Sequence, residues 1–250
     1  MGKDVIKLVS LNIELAKHLD LVREFLEKQK PDIACLQEVY EADLEELAKE
    51  LGMEAVFGPM GLMGRVEHTK PPFVPYGVGI LSALLVETVD RVYYSGGEEQ
   101  AREHIFNGTS RDDAHPVLCV DIKKGSRKFT VGTTHFTWSA GGVADNLQRK
   151  DMKNLLAILQ DIPGIVLCGD FNAPRGREIF DALAQRYKDN IPLEYHTSID
   201  VNLHRGGGKL KGESLMVDGL FTTPHYQCSN VRFVGGVSDH FAIVAEVQKV

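Results

Sequence analysis

The 250-residue sequence has no apolar run long enough to span a membrane, which requires about 20 such residues in a helix. It contains four cysteines and no C-x-x-C pair, and three of them, Cys35, Cys119 and Cys168, lie within apolar runs. This placement favours buried, reduced thiols over disulfides or zinc ligands. The first residues also lack the apolar core of a signal peptide. We therefore expect a cytoplasmic protein with no membrane span.

Positive charge is in the minority, because 28 lysines and arginines stand against 35 aspartates and glutamates, for a formal net charge of −7. Such a chain does not grip nucleic acid with a uniformly positive surface. A nuclease is still compatible with this balance, because an active site needs only local basic groups and metal ions. The H-E-x-x-H, G-x-S-x-G and P-loop motifs are also missing. Their absence removes the signatures of zinc peptidases, serine hydrolases and nucleotide-triphosphate motors.

Apolar residues recur with two different periods along the chain. The opening alternates strand and helix, with strands predicted over residues 5–13 and 33–36 and amphipathic helices over residues 19–26 and 44–51. Residues 96–114 are poor in apolar side chains and are predicted to form a long loop. The other predicted elements are helices over residues 147–159 and 178–186, and strands over residues 77–81, 84–94, 117–122, 129–134, 165–168, 215–222, 228–234 and 241–247.

No internal repeat, low-complexity segment or long linker divides the chain. With 43% hydrophobic residues, a chain of this length can bury a sizeable core without a disulfide or a metal. Helices between the early strands and hairpins in the middle indicate mixed sheets covered by helices. We therefore predict one α/β domain over residues 1–250 with the architecture of a layered sandwich.

Unusual polar side chains end or interrupt six of the predicted strands. They are Asn12, Glu38, His135, Asp170 with Asn172, Asp218, and Asp239 with His240. Each has an ordinary structural explanation when taken alone, such as a turn, a helix cap or a hydrogen-bonded core histidine. Asp218 is harder to explain this way, because it lies between Val217 and Leu220 in an apolar run, and a buried charge without a partner is costly. The recurrence at six strands favours a shared site.

This set of side chains suits the hydrolysis of a phosphate ester. The carboxylates of Glu38 and Asp239 and the amide oxygen of Asn12 are hard oxygen ligands of the kind that Mg²⁺ or Mn²⁺ prefers. Such an ion neutralises phosphate charge and stabilises the leaving oxygen. A histidine oriented by a buried carboxylate is suited to proton transfer or to stabilising a charged phosphorane.

At these residues the sequence resembles the endonuclease/exonuclease/phosphatase family of metal-dependent phosphoesterases, which includes deoxyribonuclease I. The resemblance spans nearly the whole chain through six motifs in order: Ser10-Leu11-Asn12, Leu36-Gln37-Glu38, Thr134-His135, Gly169-Asp170-Phe171-Asn172, Asp218 and Ser238-Asp239-His240. It implies a four-layer α/β sandwich in which two central mixed β-sheets are flanked by helices. It also implies an Mg²⁺- or Mn²⁺-dependent phosphoric ester hydrolase.

The resemblance further implies which residues hold the metal and the water. Glu38 would be the main Mg²⁺ ligand, with Asn12 and Asp239 near the same ion. Asp170 would activate or align the attacking water, and Asn172 would orient that water and contact a phosphate oxygen. Water would attack the phosphorus directly, without a phospho-enzyme.

Two histidines would contact the phosphate according to the same resemblance. His135 would hydrogen-bond a phosphate oxygen. Asp218 would orient His240, which would contact the phosphate or serve as the base. Whether His240 or Asp170 is the base stays open at this point.

The sequence also offers candidate substrate-binding residues. Phe136 and Trp138 follow His135 directly and could stack on a base or a ribose, and the alternative is that they simply pack. Arg175 follows Asn172 closely and is a candidate phosphate contact. Other basic residues near the motifs are Arg149, Lys150, Lys153, Arg177 and, in a glycine-rich loop, Arg205, Lys209 and Lys211.

We predict a monomeric phosphodiesterase that acts as a nuclease or on nucleic-acid ends, with DNA or RNA as candidate substrate. One alternative is a small phosphate ester, such as an inositol phosphate or a lipid head group. Another is a catalytically inactive relative that serves as a binding module. The intact set of Glu38, Asp170, Asp239 and His240 argues against the inactive alternative.

Overall fold

Two six-stranded β-sheets form the centre of the computed structural model, which describes residues 4–250. Its strands are β1 (Val5–Asn12), β2 (Ile33–Tyr40), β3 (Glu54–Gly64), β4 (Phe73–Ser82), β5 (Val86–Ser95), β6 (His115–Lys124), β7 (Arg127–His135), β8 (Val166–Asp170), β9 (Lys188–Asp189), β10 (Asp218–Thr222), β11 (Tyr226–Val234) and β12 (Ala242–Lys249). The first sheet has the order β11-β12-β1-β2-β4-β3, and the second has the order β5-β6-β7-β8-β10-β9. Its helices are α1 (Leu19–Gln29), α2 (Glu41–Leu51), α3 (Glu98–Glu103), α4 (Asn146–Gln160) and α5 (Glu178–Ala184).

Apolar side chains on both faces of the central strands divide the molecule into four layers. Leu8 of the first sheet and Val131 of the second belong to the core between the sheets. Val22 of α1 and Leu44 of α2 pack on the outer face of the first sheet, and Leu155 of α4 belongs to the cluster on the outer face of the second. The predicted four-layer α/β sandwich is therefore confirmed.

The two early helices form because their apolar residues recur at helical spacing. In α1 the buried residues Val22, Phe25 and Leu26 share one face. Helix α2 ends at Gly52, which has a left-handed backbone (φ 64°) and donates its N–H to the Ala48 carbonyl. In the part of the chain that the structure describes, no helix is long and apolar enough to cross a membrane.

The structure contains elements that the sequence did not predict, among them the two-residue strand β9 and parts of two longer segments. Residues 96–114, predicted as a loop, contain the short helix α3 and a 3-10 turn over Ser110–Asp112. A six-residue helix shows too little of the apolar period to be recognised. Strand β3 was not predicted, because Pro59 and three glycines interrupt its alternation. Both segments flank the edge of the first sheet, since Leu62 forms an isolated bridge with Ile105.

Strand directions bring the predicted polar residues to one edge of the sandwich. Strands β1 and β2 are parallel, as are β7 and β8, so the carboxyl ends of each pair meet. His135 is paired with Asp170 in the second sheet, and Asp218 is paired with Asp170 from the other side. Strand β12 runs antiparallel to β1, so the residues that enter β12 lie beside the end of β1. The site is built at this edge.

Candidate active site

Glu38 enters the site through a break in the pairing of β2 with β4. Leu36 pairs with Gly79 and Val39 pairs with Gly77, so Gln37 and Glu38 form a β-bulge. Glu38 has a left-handed backbone with φ 52°, which is strained for a non-glycine residue. Its side chain stays 29% exposed, whereas the adjacent Gln37 is fully buried. The bulge thus presents a carboxylate at the surface of the site.

Asn12 links the carboxylates of the two sheets. Its amide nitrogen donates to Glu38 Oε1 and to Asp170 Oδ2, at 3.1 Å in each case. Its amide oxygen accepts the backbone N–H of Glu14 at 3.1 Å, which fixes the orientation of the amide. The expectation that the Asn12 oxygen is a metal ligand is therefore not supported by this arrangement, because the amide presents its nitrogen, and not its oxygen, to the carboxylates.

Asp170 is the buried centre of the site. Its Oδ1 accepts the backbone N–H of Asn172 at 2.8 Å, and Asn172 itself has a left-handed backbone. Its Oδ2 lies 3.5 Å from His135 Nε2 and 3.9 Å from His240 Nε2. Burial by itself would raise the pKa of Asp170, but the hydrogen bond from His135 and the charges of both histidines lower that pKa to about 2. Asp170 is consequently ionised at neutral pH.

His135 is held among three polar groups. Its Nε2 lies 3.0 Å from Nδ2 of Asn172 and 3.6 Å from Glu38 Oε1. Nδ2 of Asn172 donates to the Phe136 carbonyl, which leaves Nε2 of His135 available as a donor when the ring is protonated. Burial would lower the pKa of His135, but the hydrogen bond and charge of Asp170, with the charge of Glu38, raise it. A protonated imidazole in this position can donate to an anionic ligand.

His240 and Asp218 form a buried pair on the other side of Asp170. His240 Nδ1 lies 2.7 Å from Asp218 Oδ2. Burial would lower the pKa of His240, but the charge and hydrogen bond of Asp218 raise it well above its usual range. Ser198 Oγ accepts the backbone N–H groups of Val217 and Asp218, which fixes the start of β10.

Asp239 lies in a different electrostatic environment from Asp170. It is 7% exposed, and Ser238 Oγ donates to it at 3.2 Å. Burial raises the pKa of Asp239 to about 7; the charge of His240 opposes this rise, and the charges of Glu14 and Glu38 add to it. A carboxyl whose pKa is raised by burial and by neighbouring carboxylates favours a bound cation, which would stabilise its ionised form. Glu38 and Asp239 therefore fit Mg²⁺ or Mn²⁺ as hard oxygen ligands.

A second group of side chains has the atoms to bind a metal ion, but ion pairs within the group account for its arrangement. Asp170, Asp218 and His240 offer atoms that lie within 4.8 Å of one another, all of them buried. His240 Nδ1 is already engaged by Asp218, and His240 supplies positive charge to both carboxylates. His240 offsets the charge of one of the two carboxylates, and His135 lies 3.5 Å from Asp170 on its other side.

Two of the predicted substrate contacts are wrong. Phe136 is fully buried and stacks on Tyr94, with ring centroids 5.5 Å apart, so it cannot reach a substrate. The Arg175 guanidinium forms an ion pair with Asp189 at 2.7 Å and donates to the Ile191 carbonyl, so it is committed to holding the short strand β9. Trp138 is different, because it is 43% exposed and only three residues beyond His135.

Sequence reasoning assigned no role to Glu14 or Gln37, which both adjoin the site. Glu14 follows Asn12 by two residues and raises the pKa of Asp239. Gln37 Nε2 donates to Thr133 Oγ1 at 2.9 Å, which joins the two sheets directly below the site. Their closeness in sequence to Asn12 and Glu38 was the feature that could have identified them as part of the site. Nothing in the sequence connects Ser198 with Asp218.

The family model of the Endonuclease/Exonuclease/phosphatase family matches residues 9–240. The chain therefore belongs to this family, whose members are phosphoric ester hydrolases. The predicted family membership is confirmed. The sequence matches no curated protein.

Several solved structures share the fold at low sequence identity. An endonuclease/exonuclease/phosphatase from Bacteroides vulgatus is 16% identical, with a TM-score of 0.73 over 98% of this chain and 99% of that one. TDP2 of D. rerio, solved with a single-stranded DNA product, is 14% identical, with a TM-score of 0.68 over 98% and 99% of the two chains. A mannosyl-6-phosphatase from Bacteroides thetaiotaomicron is 13% identical, with a TM-score of 0.67 over 97% and 99%.

Proposed function

We propose that this enzyme hydrolyses phosphodiester bonds with a bound Mg²⁺ or Mn²⁺ ion, and that its substrate is a nucleic acid or a nucleic-acid end. The observation that carries the proposal is the convergence of two carboxylates and two histidines from both sheets. His135 Nε2 lies 3.5 Å from Asp170 and 3.6 Å from Glu38, and His240 Nε2 lies 3.9 Å from Asp170. Hydrogen-bond donors and ionised carboxylates around one point are what phosphoryl transfer to water requires.

Glu38 and Asp239 would hold the metal ion, because they provide the acidic oxygens that repel each other without one. When bound there, Mg²⁺ or Mn²⁺ neutralises phosphate charge and stabilises the leaving oxygen. Asn12 would keep Glu38 and Asp170 at a fixed separation through its two N–H groups.

Asp170 is the residue that we assign to the attacking water. Its low pKa keeps it ionised, and its backbone bond from Asn172 fixes the carboxylate plane. It would orient the water and accept its proton as the oxygen–phosphorus bond forms. No covalent phospho-enzyme is needed, because the water attacks the phosphorus directly.

His240 and His135 would act as cationic donors to the phosphate oxygens. The pKa of His135 is raised and that of His240 is raised well above its usual range, so the site favours the protonated form of both imidazoles. Asp218 would hold His240 in one tautomer through Nδ1 and leave Nε2 facing the site. This division assigns proton acceptance to Asp170 and charge stabilisation to the histidines.

A nucleic-acid substrate is favoured by Trp138, whose exposed indole lies on the loop that follows His135 at the end of β7. The Trp138 carbonyl is held by Arg111 at 2.9 Å, and Arg111 is paired with Asp145, which caps α4. An exposed indole on a segment whose backbone is anchored in this way suits stacking on a base. TDP2, a structure of similar fold, was solved with single-stranded DNA.

The test measures turnover of bis-para-nitrophenyl phosphate and of a single-stranded DNA oligonucleotide with Mg²⁺ or Mn²⁺, and again with excess chelator. We expect turnover that needs the metal, a loss of at least ~10²-fold in Glu38→Gln, and wild-type turnover in Glu46→Gln, which removes an exposed carboxylate of α2. Full turnover in chelator, or wild-type turnover in Glu38→Gln, would contradict the metal assignment. Absence of turnover on every phosphate ester would instead support an inactive binding module.

A further inference from the structure

One loop beside the candidate active site carries three exposed cations close together in the chain. The loop covers residues 201–213, which we call the basic loop, and it contains a 3-10 turn over Gly207–Leu210. Its cations Arg205, Lys209 and Lys211 are all exposed. Within residues 4–250, none of the three forms an ion pair, in contrast to Arg23, Arg102 and Arg149 on the helices. Glu213 is the one acidic residue among residues 201–213, so with three cations the loop has a formal charge of +2 in a chain of net charge −7.

The base of the loop is attached to the segment that leads into β12 and carries Asp239 and His240. Ile199 forms a bridge with His240, and the Asp200 N–H donates to the Asp239 carbonyl at 2.8 Å. The buried Asp200 carboxylate accepts the N–H of Asn202 at 3.0 Å and that of Gly236 at 2.8 Å. Asp200 therefore fixes where the basic loop leaves the edge of the site.

The loop also lies within electrostatic range of the reaction centre. Burial lowers the pKa of His204, and the charge of His240 lowers it further, while the charge of Glu14 raises it. Lys17, on the turn that follows Asn12, also lowers the pKa of His204. The basic loop and the β1–α1 turn thus border the same side of the site, and Trp138 lies on the loop that follows His135.

We propose that the basic loop is a second phosphate-binding subsite, which holds phosphate groups next to the one that is hydrolysed. It favours substrates with several neighbouring phosphates, as in a nucleic-acid strand. Arg205, Lys209 and Lys211 are free to contact such groups because no carboxylate neutralises them. Such contacts release counterions, so binding through them weakens as salt is added. This inference rests on the proposed function and specifies its substrate class.

The test compares wild type with R205A/K209A/K211A and with a control, K28A/K123A/R127A, that removes the same charge elsewhere. Lys28 lies in the last turn of α1, and Lys123 and Arg127 lie at the hairpin of β6 and β7, at the end of β7 opposite His135. Single-stranded DNA, an inositol polyphosphate and bis-para-nitrophenyl phosphate serve as substrates, between ~50 and ~200 mM salt. Thermal unfolding checks that each variant is folded. The single substitution R205E tests the charge of the basic loop without changing Lys209 or Lys211.

We expect the loop variant to raise KM for the oligonucleotide about tenfold, and to reduce the slope of log kcat/KM against log salt by ~0.7 for each phosphate group that it no longer binds. Turnover of bis-para-nitrophenyl phosphate stays within about twofold, because it carries a single phosphate. An effect on the inositol polyphosphate alone supports the subsite and assigns it to a small polyphosphate. Equal slopes in the loop and control variants overturn the subsite. Failure of wild type on all three substrates overturns the proposed function instead.

Discussion

The candidate active site has two halves with opposite electrostatics. In the ion-paired half, each carboxylate faces a histidine; its members are His135, Asp170, Asp218 and His240. The acidic half consists of Glu14, Glu38 and Asp239, and within it the charges of the two glutamates raise the pKa of Asp239. Both glutamates also have basic neighbours, because Glu38 Oε1 lies 3.6 Å from His135 Nε2 and Glu14 is paired with Lys17 and His18. Both halves are at the same edge of the sandwich, and Asn12 donates to one carboxylate of each, Asp170 and Glu38.

One buried carboxyl in each half, Asp170 and Asp239, shows a pKa shift of opposite direction. Burial raises the pKa of Asp218, the other carboxyl of the ion-paired half, although the charge of His240 opposes this rise. The pKa of Asp170 is lowered to about 2 because the histidines outweigh its burial. The pKa of Asp239 is raised to about 7, because burial and neighbouring carboxylates outweigh His240. The difference teaches that the outcome of burial depends on the neighbouring charges: histidines beside Asp170 stabilise its ionised form, and carboxylates near Asp239 disfavour the ionised form there. A cation bound beside Asp239 would therefore stabilise its ionised form.

The largest expected effect comes from breaking the ion-paired half. We predict that Asp170→Asn and His240→Ala each reduce kcat by at least ~10²-fold, because one loses the acceptor for the water proton and the other a charge on the phosphate. Both act on one transition state, so the double variant should lose less than the product of the two single losses. Steady-state kinetics with bis-para-nitrophenyl phosphate measures this, with Asp161→Asn at the exposed end of α4 as control. Strictly multiplicative losses would mean that the two residues act independently.

A second prediction is that removing a carboxylate charge changes the free energy of unfolding in opposite directions in the two halves. Without metal and above about pH 8, Asp170→Asn should lower the free energy of unfolding by about 2 kcal/mol, and Asp239→Asn should raise it by about 1 to 3 kcal/mol. The folded-state pKa of Asp170 is below its unfolded value, so its ionised form stabilises the fold, and this stability is lost as the pH falls from about 4 towards 2. The folded-state pKa of Asp239 is raised, so its contribution to stability falls as the pH rises from about 4 to 7.

Urea unfolding of the metal-free wild type and variants at several pH values measures these changes in the free energy of unfolding. The gain from Asp239→Asn should shrink towards pH ~4, where the wild-type carboxyl is protonated in both states. Added Mn²⁺ should stabilise wild type more than Asp239→Asn, since the variant has lost an anionic ligand. A loss of stability in both variants at high pH would show that the two halves do not differ in the way described.

The sequence predicted the site because of strand geometry. Asn12, His135 and Asp170 each end a strand, and the ends of parallel neighbours meet at one edge of a sheet. The same geometry explains the failure at Phe136. Successive side chains of an extended chain face opposite ways, so the residue after His135 points into the core on the α4 side.

Other features of the site depend on contacts that no local pattern encodes. The partner of Arg175 is Asp189, in the two-residue strand β9. The orientation of the Asn12 amide depends on the Glu14 N–H, and Glu14 is in a left-handed turn with φ 49°. The sequence showed which residue types were present, but it did not show which of them pair with each other in the folded chain.

A third prediction concerns the tie between Asp218 and His240 within the ion-paired half. Asp218→Asn keeps a hydrogen-bond partner for His240 Nδ1 but removes the charge that raises the His240 pKa. The imidazolium that contacts the phosphate is then lost at lower pH, because a histidine with a raised pKa keeps its proton until the pH passes that pKa. We expect about tenfold lower turnover at neutral pH and an alkaline limb of the pH–rate profile that moves to lower pH. The exposed Asp20→Asn variant serves as control, and an unchanged profile with full turnover would remove Asp218 from the site.

The smallest expected effect tests how the two sheets hold the halves in register. Gln37 Nε2 donates to Thr133 Oγ1 between the sheets, one residue before Glu38 and two before His135. Gln37→Met keeps the side-chain volume and removes this bond, so it should cost about 1 kcal/mol of stability. It should lower kcat less than about tenfold and leave KM unchanged, because it disturbs alignment and not binding.

Thr133→Val removes the same bond from the other sheet, so the double variant should lose little more stability than either single variant. Val131→Ala, in the same core two residues earlier on β7, should cost more stability by leaving a cavity but keep kcat. If kcat fell in proportion to stability across all of these variants, Gln37 would be an ordinary core residue rather than one that aligns the two halves of the site.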